Sequence, residues 1–154
     1  AVSAVLPHQL FLTRESLLCM TTFLWNHPDT PPLATVLLAH GAGAPMDSTF
    51  MEKIAQAMTA SGLAVARFEF GYMAARRDGG SKRPPPRADK LIGEFQTALQ
   101  QVMSEQPGPL LISGKSMGGR VAAMLSGGAS LPSRVTGVVC LGYPFHPTGK
   151  PDAE

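Results

Sequence analysis

The sequence has little of what marks several specialised classes of protein. Its 154 residues carry two cysteines, one tryptophan and a net charge of only +2. Both cysteines, Cys19 and Cys140, lie in apolar, strand-like runs and provide no disulfide framework. A single disulfide between them stays open, but we expect two buried, reduced thiols in a cytoplasmic protein. The weak net charge gives the chain as a whole no signature of nucleic-acid binding.

Long apolar runs are also missing. No run approaches the roughly 20 residues needed to span a bilayer. The start of the sequence lacks the basic segment and apolar core of a secretory signal. We therefore expect neither a membrane nor a nucleic acid as a partner.

Patterns that bind metals or cofactors are missing too. The four histidines are scattered, and no C-x-x-C spacing occurs. The pair Gly41 and Gly43 lacks the third glycine of a dinucleotide-binding loop, because position 46 is methionine. We therefore predict no metal and no cofactor.

What the sequence does contain is a regular alternation of apolar runs and helical patterns. Two opening strands, expected to pair antiparallel, are predicted around residues 10–12 and over residues 17–25. Further strands, with a helix between each successive pair, are predicted over residues 34–39, 63–70, 110–113 and 135–141. Continuous apolarity indicates strands buried on both faces. The order predicts a three-layer α/β fold, a mostly parallel sheet with helices on both faces, in a single domain over residues 1–154.

A long, basic segment interrupts this alternation. Residues 71–86 are predicted to form a loop, of a length typical of functional or mobile segments. Glu69, just before it, is expected to pair with Arg76 or Arg77. Residues 76–90 have a local charge of +4, from Arg76, Arg77, Lys82, Arg83, Arg87 and Lys90 against Asp78 and Asp89. Two interpretations stay open: recognition of an anionic substrate or partner, or a solvated surface.

The segment that indicates chemistry is Leu110–Arg120, where an apolar run meets Gly114-x-Ser116-x-Gly118 and a helical pattern follows. This is the strand, tight turn and helix of a nucleophile elbow, which exposes its serine at the carboxyl end of a strand. The helix N–H groups beside Ser116 would favour a developing negative charge.

Two other interpretations of this segment stay open. Gly114, Lys115 and Ser116 reproduce the end of a phosphate-binding loop, but the position of its first glycine holds Pro109. The residues between look like a strand, whereas a phosphate-binding loop needs exposed backbone N–H groups. A glycine-rich turn without chemistry would produce the same letters by chance. The strand, turn and helix context favours the serine nucleophile.

Acyl transfer by a serine also needs an oxyanion hole, a base and a group that orients the base. The Met117 N–H, directly after the nucleophile, is one predicted oxyanion donor. The second is predicted to be the N–H of Ala42 or Gly43, in a loop of small residues that leaves another strand at the same edge of the sheet. An ordinary strand-to-helix turn is the alternative for that loop.

No histidine fits the base without difficulty. His8 and His27 fall in the opening segment and its turn, and His40 is expected to brace the glycine loop by hydrogen bonding. His146 follows a strand at the correct edge of the sheet and is the remaining candidate. It follows Ser116 too closely for the chain order serine, acid, histidine that this architecture uses. No acid is compelling.

Five segments together resemble the α/β-hydrolase-like family that includes bacterial predicted hydrolases of the dienelactone-hydrolase type. The hydrolase-like domains of testis-expressed protein 30 and of the third subunit of the NSL chromatin complex belong to the same group. The resemblance implies an α/β-hydrolase fold with Ser116 as the nucleophile, and no established substrate. It begins at about residue 34 and is carried by His40–Ser48, Arg67–Phe70, Arg76–Pro85, Gly114–Arg120 and Gly142–Pro147.

This sequence departs from the family in length. Such domains continue through two more strands, which carry the acid and the histidine, whereas this sequence ends soon after the last predicted strand. We therefore expect the chain to be the N-terminal part, about two thirds, of a full domain. A naturally shortened protein is the alternative.

Two functions follow from these patterns. The first is an esterase-like serine hydrolase, in which Ser116 attacks a small ester or related acyl substrate. The second is a non-catalytic hydrolase-like scaffold that binds a partner through the basic segment or a sheet edge. In that case the last strand would be an uncovered edge, and pairing with a second copy would give a homodimer.

Overall fold

The structure, a computed structural model, describes residues 20–77, 79–128 and 131–146. The strands within these ranges are β1 Phe23–Asn26, β2 Ala34–Ala39, β3 Leu63–Phe68, β4 Leu110–Lys115 and β5 Val135–Leu141. They form one sheet in the order β1-β3-β2-β4-β5. β1 is antiparallel to β3, and all other neighbours are parallel. The mostly parallel sheet predicted from the sequence is confirmed.

Helices cover both faces of this sheet. They are α1 Thr49–Ala60, α2 Gly71–Arg77, α3 Ile92–Glu105 and α4 Met117–Gly128, and a 3-10 turn, Ala88–Leu91, precedes α3. α1 packs on one face, whereas α3 and α4 pack on the other. The predicted three-layer α/β fold is therefore confirmed. In the described part of the chain, no helix is long and apolar enough to cross a membrane.

The core alternates from face to face along β2. Val36 and Leu38 pack in the cluster under α1, whereas Leu37 and Ala39 pack in the cluster under α3 and α4. Because successive strand side chains point to opposite faces, a strand covered on both faces is apolar throughout. Full burial of each large aliphatic side chain contributes about 1.5–3 kcal/mol.

β5 does not follow this pattern. It is an edge strand of the described sheet, paired with β4 on one side, and Val139 is 37% exposed. The predicted burial of this strand on both faces is therefore wrong. Cys140 is exposed as well, so the expectation of a buried thiol is wrong for this cysteine. Cys19 lies outside the described residues.

A short helix occupies part of the segment predicted as a loop. α2 begins directly after Phe70, whose carbonyl accepts hydrogen bonds from the N–H groups of Met73 at 2.8 Å and Ala74 at 3.1 Å. The helix has seven residues and buries Met73 alone. With so few turns, no apolar period could show in the sequence.

Two strand boundaries also differ from the prediction. The second opening strand is Phe23–Asn26 instead of residues 17–25, of which 17–19 lie outside the described residues. The short strand predicted around residues 10–12 lies outside them as well. β3 ends at Phe68, two residues early. The Phe70 N–H donates to the His40 ring at 3.1 Å and not to a neighbouring strand, which ends the ladder.

The topology brings two loops together at the carboxyl edge of the sheet. β2 and β4 are parallel neighbours, but the connection from β2 leads away to β3 on its other side. This is a topological switch point, where the loops diverge and leave a crevice at the carboxyl ends of the strands. The loop after β2 and the turn after β4 flank that crevice.

Candidate active site

Ser116 lies between the end of β4 and the start of α4, as the sequence predicted for an elbow. Its φ is +49°, and among the described residues it is the only non-glycine residue with a positive φ. Its N–H donates to the Leu141 carbonyl at 2.8 Å, and its carbonyl accepts from the Arg120 N–H at 3.0 Å. The turn is therefore tied to β5 on one side and to the first turn of α4 on the other.

The glycines around Ser116 are required by close backbone contacts. A methyl group on Gly114 would lie 2.2 Å from the Gly118 carbonyl carbon, and one on Gly118 would lie 2.4 Å from the His40 oxygen. Both distances are far inside van der Waals contact. Gly119, which the elbow pattern does not specify, has the same restriction, because its methyl group would lie 2.7 Å from the Gly114 oxygen.

The second loop lies directly against the elbow. We call residues 40–47 the His40 loop. A methyl group on Gly41 would lie 3.4 Å from the Lys115 oxygen and 3.7 Å from the Ser116 Cβ. The structure therefore brings the glycine loop and the serine together, as the sequence predicted from their positions after neighbouring strands.

His40 braces its own loop, as expected. Its ring is fully buried; Nε2 accepts the Phe70 N–H at 3.1 Å, and Nδ1 lies 2.6 Å from the Gly41 oxygen. Since an amide N–H can only donate, Nε2 is the acceptor and Nδ1–H donates. Burial lowers the pKa of His40, which keeps this imidazole neutral.

Three N–H groups near Ser116 are free to bind a substrate oxygen. No hydrogen bond within the described ranges uses the N–H of Ala42, Gly43 or Met117. Gly43 is exposed, and nothing lies within 4 Å of a methyl group placed on it. The three N–H groups include both predicted oxyanion donors, Met117 and either Ala42 or Gly43, and that role stays a prediction.

A buried arginine fastens the far end of the His40 loop. Arg67, on β3, is 4% exposed and donates to the Met46 carbonyl at 3.1 Å. It also pairs with Glu52 of α1 at 2.7 Å and donates to Asn26 of β1 at 2.9 Å. One side chain therefore joins the His40 loop, the helix α1 and the strand β1. Sequence inspection gave no signal for this role.

A second arginine joins the loop to α2. Arg77 pairs with Glu69 at 2.7 Å and with Asp47 at 2.8 Å, and Glu69 also accepts the Met46 N–H at 3.2 Å. The expected pair between Glu69 and a following arginine is confirmed for Arg77. Hydrogen bonding to Arg77 holds the pKa of Asp47 below its usual range. Both carboxylates are thus structural.

Lys115, next to the nucleophile, points toward α1. Its Nζ lies 4.5 Å from the ring centroid of Phe50, a cation–π contact at an exposed aromatic ring. None of the salt bridges of the described residues includes it. Lys115 therefore places a positive charge beside the crevice.

His27 and His40 do not provide a base for Ser116. His27 stacks on Trp25 in the turn between β1 and β2, at the opposite edge of the sheet. His146 is exposed in the loop that leaves β5, at the same edge as Ser116. The hydrogen bonds found within the described ranges include none to the Ser116 hydroxyl. His8 lies outside these ranges.

The basic segment is partly neutralised. Arg77 is paired as above, Arg87 pairs with Asp89 at 3.2 Å, and the Arg76 guanidinium lies over the Tyr72 ring at 5.3 Å. The remaining basic side chains are exposed at Lys82, Arg83 and Lys90. This arrangement agrees with a solvated surface; anion recognition stays a hypothesis.

A cavity of about 550 Å³ lies away from Ser116, between α2, α3 and the residues before β1. Its charged lining residues already have partners. Glu69 and Arg77 pair with each other, and Glu94 accepts the Gly71 N–H at 2.6 Å. Within the described ranges, no group of three or more His, Cys, Asp or Glu side chains is placed to hold a metal ion. We therefore place the candidate site at the elbow.

A strand, a strained serine turn and a helix, flanked by a glycine loop at a switch point, define a protein of the α/β-hydrolase class. Residues 32–154 match the family described as Alpha/beta hydrolase domain, and the chain belongs to that family. No curated protein sequence matches it. The finer resemblance to dienelactone-hydrolase-type and testis-expressed proteins stays a prediction.

Solved structures share the fold. A lipase in its open form is 20% identical, with a TM-score of 0.61 over 78% of this chain and 39% of its own. A carboxyl esterase from Bacillus coagulans is 17% identical, with a TM-score of 0.59 over 79% and 43%. An esterase domain from a Rhodothermus marinus protein is 24% identical, with a TM-score of 0.58 over 80% and 47%. This chain spans less than half the length of these three.

Proposed function

We propose that the protein is a serine hydrolase that cleaves a small ester or related acyl substrate, with Ser116 as the nucleophile. The observation that carries this proposal is the backbone of Ser116, held at a φ of +49° between β4 and α4. A non-glycine residue in this region costs about 1–3 kcal/mol, and such strain clusters at active sites. Membership of the α/β-hydrolase domain family supports the assignment.

In the proposed reaction, the Ser116 Oγ attacks the acyl carbonyl carbon while a general base takes the hydroxyl proton. The carbonyl oxygen becomes an oxyanion and accepts hydrogen bonds from the N–H of Met117 and of Ala42 or Gly43. The tetrahedral intermediate expels the alcohol, which takes the proton from the base, and leaves an ester on Ser116. Water then adds in the same way, releases the acid and restores the serine.

α4 supports the same step electrostatically. Met117 is its first residue, so the N–H beside Ser116 belongs to the free N-terminal turn of a 12-residue helix. The helix dipole places roughly half a positive charge at this end. An oxyanion formed at Ser116 would lie in that field, whereas the neutral ester gains much less from it, and such differential stabilisation accelerates a reaction.

We propose that the base lies C-terminal to residue 154, because the chain order of this architecture puts the histidine after the acid, well beyond the serine. A histidine C-terminal to residue 154 fits that order, since the similar structures are more than twice as long as the part that this chain covers. His146 is the candidate within the chain.

A fluorophosphonate probe tests the proposal in the full-length protein. We expect covalent labelling at Ser116, and we expect Ser116→Ala to abolish both the labelling and the hydrolysis of p-nitrophenyl acetate. Loss of a catalytic serine lowers kcat by about 10⁶-fold. Ser126→Ala is the matched control, because Ser126 lies on α4 and its hydroxyl donates to the Ala123 carbonyl. It should be labelled like the wild type.

Failure of labelling in a folded wild-type protein would favour the scaffold. The exposed edge strand β5 is the observation that supports this second function, because unpaired strand edges bind other strands. Light scattering would then be expected to show a dimer, and disruption of that dimer by Val139→Lys would identify the edge. A monomer that is also unlabelled would contradict both functions.

A further inference from the structure

We propose that Tyr72 is a positioning residue that aims the Gly43 N–H into the oxyanion hole. This inference rests on the proposed serine hydrolase function and adds a residue that no sequence pattern indicated. Tyr72 is the second residue of α2, the helix found inside a predicted loop. Its hydroxyl reaches across to the His40 loop.

The contact is a hydrogen bond to the backbone of the loop. The Tyr72 hydroxyl lies 3.0 Å from the Ala42 oxygen and 3.5 Å from the Gly41 oxygen. Because a hydroxyl carries one proton, it donates to the nearer carbonyl, that of Ala42. The Gly41 carbonyl already has its own donor in His40 Nδ1–H at 2.6 Å.

The hydrogen bonds to the Gly41 and Ala42 carbonyls also fix the orientation of the Ala42 and Gly43 N–H groups, because each peptide unit is planar. In a trans peptide the N–H of one residue points opposite to the carbonyl of the residue before it, and the described chain contains no cis peptide. His40, by holding the Gly41 carbonyl, therefore turns the Ala42 N–H outward. Tyr72, by holding the Ala42 carbonyl, turns the Gly43 N–H outward. Both N–H groups are without a partner in the described residues.

Tyr72 is itself held in place. The centroid of its ring lies 5.8 Å from that of the His40 ring, and the Arg76 guanidinium carbon lies over the ring, 5.3 Å from its centroid. Burial raises the pKa of Tyr72 to about 12, so its hydroxyl keeps its proton at neutral pH. The donor is therefore always present, and its position is set by ring contacts that Tyr72→Phe would keep.

Tyr72→Phe removes the hydroxyl and keeps the ring, so it tests the hydrogen bond alone. Gly43 has no side chain and no close neighbour, so without this bond little else fixes the peptide between Ala42 and Gly43. We expect kcat for p-nitrophenyl acetate to fall about 10- to 100-fold, below the full loss of an oxyanion donor, with KM nearly unchanged. Affinity for a trifluoromethyl ketone, whose hemiketal oxygen occupies the hole, should fall by the same factor.

Two further measurements separate positioning from general stability. Thr59→Val removes a hydroxyl bond of 2.8 Å to the Ala55 carbonyl near the far end of α1, and it should leave kcat and ketone affinity unchanged. The order parameter of the Gly43 N–H, from 15N relaxation, should fall in Tyr72→Phe but not in Thr59→Val. The relaxation measurement does not depend on activity.

The outcomes are distinct. A lower Gly43 order parameter together with parallel losses in kcat and ketone affinity would support the inference. An unchanged order parameter in Tyr72→Phe would overturn it whatever the activity. A lower order parameter with unchanged kcat and ketone affinity would show that the Gly43 N–H is not an oxyanion donor. A wild-type protein that reacts with neither probe nor ketone would overturn the proposed function, and the oxyanion role of Tyr72 with it.

Discussion

The Ser116 elbow and the His40 loop lie against each other, yet they are held by different forces. The elbow is fixed by backbone packed on backbone, where the hydrogen atoms of Gly114 and Gly118 take the place of side chains. The His40 loop is fixed by side chains that donate to or accept from its backbone, namely His40, Arg67, Glu69 and Tyr72. One region is therefore sensitive to added volume and the other to lost hydrogen bonds.

The difference also concerns distance along the chain. Gly114 and Gly119 make their closest contacts within residues 114–119, and Gly118 also packs on the His40 oxygen. The groups that hold the His40 loop include residues on β3 and α2, more than 20 positions away. A local motif can specify the first arrangement. The second exists only after β3 has paired beside β2.

Adding one methyl group to the elbow should produce the largest effect. Gly114→Ala would place a carbon 2.2 Å from the Gly118 carbonyl carbon and 2.5 Å from the Gly119 nitrogen. Backbone on both sides cannot yield, so we expect a loss of about 3 kcal/mol or more in the free energy of unfolding. Urea unfolding measures this loss, and labelling of Ser116 should disappear.

Gly93→Ala is the matched control. Gly93 lies in the first turn of α3, and nothing is within 4 Å of the added methyl group. Alanine has the higher helix propensity, so this variant should gain about 0.5–1 kcal/mol. If Gly114→Ala were as stable as Gly93→Ala, the elbow would not depend on its backbone contacts.

This contrast explains what could be predicted from the sequence. The strand, turn and helix around Ser116 and the alternation of strands and helices along the chain were predicted correctly, because tight turns select glycine locally and doubly covered strands are apolar throughout. The structural role of Arg67 could not be predicted. A single arginine within an apolar strand does not indicate a function until its partners Met46, Glu52 and Asn26 are known. α2 was missed because seven residues show no apolar period, and Tyr72 because its hydrogen-bond partner Ala42 lies 30 positions away.

The edge of the sheet shows a second limit of sequence reasoning. β5 is as apolar as β2, and both were predicted to be buried. Apolar composition indicates that a surface favours burial, but it does not say which part of the chain covers it. Among the described residues β5 has one strand neighbour, and Cys140 is exposed as a result.

Removing the arginine that fastens the His40 loop should have an intermediate effect. Arg67→Met keeps the aliphatic volume but leaves the buried Met46 carbonyl without its donor. Glu52 is 42% exposed and can be hydrated, and the Arg67 Nε has no partner to lose. We therefore expect a cost of about 1–2 kcal/mol in urea unfolding, with a loss of esterase activity because the loop is less well held.

Arg134→Met is the control that separates the loss of stability from the loss of activity expected for Arg67→Met. Arg134 also donates to backbone carbonyls, those of Gly108 and Met103, but at the opposite edge of the sheet, before β5 begins. It should lower stability without lowering kcat of the remaining folded protein. Equal activity losses in both variants would mean that Arg67 acts on stability alone.

Acid should weaken the same loop by a smaller amount, through His40. Burial lowers the pKa of His40 below the ordinary histidine value of 6.5, so the folded protein keeps this ring neutral while the unfolded chain binds a proton. The unfolded state then carries more bound protons, and stability rises with pH across this window. The contribution is complete above about pH 6.5 and is lost as the pH falls toward the folded pKa, by at most about 1.4 kcal/mol per pH unit.

Urea unfolding between pH 8 and pH 5.5 tests this expectation against two variants. In His40→Gln the amide oxygen can still accept the Phe70 N–H, but the side chain no longer titrates, so the fall in stability between pH 7 and pH 5.5 should shrink. Thr59→Val, which changes no titratable group, should keep the wild-type slope. Equal slopes in wild type and His40→Gln would mean that the loop is not held by a neutral imidazole. A reduced slope would show that the His40 loop, unlike the glycine-packed elbow, depends on the protonation state of one buried side chain.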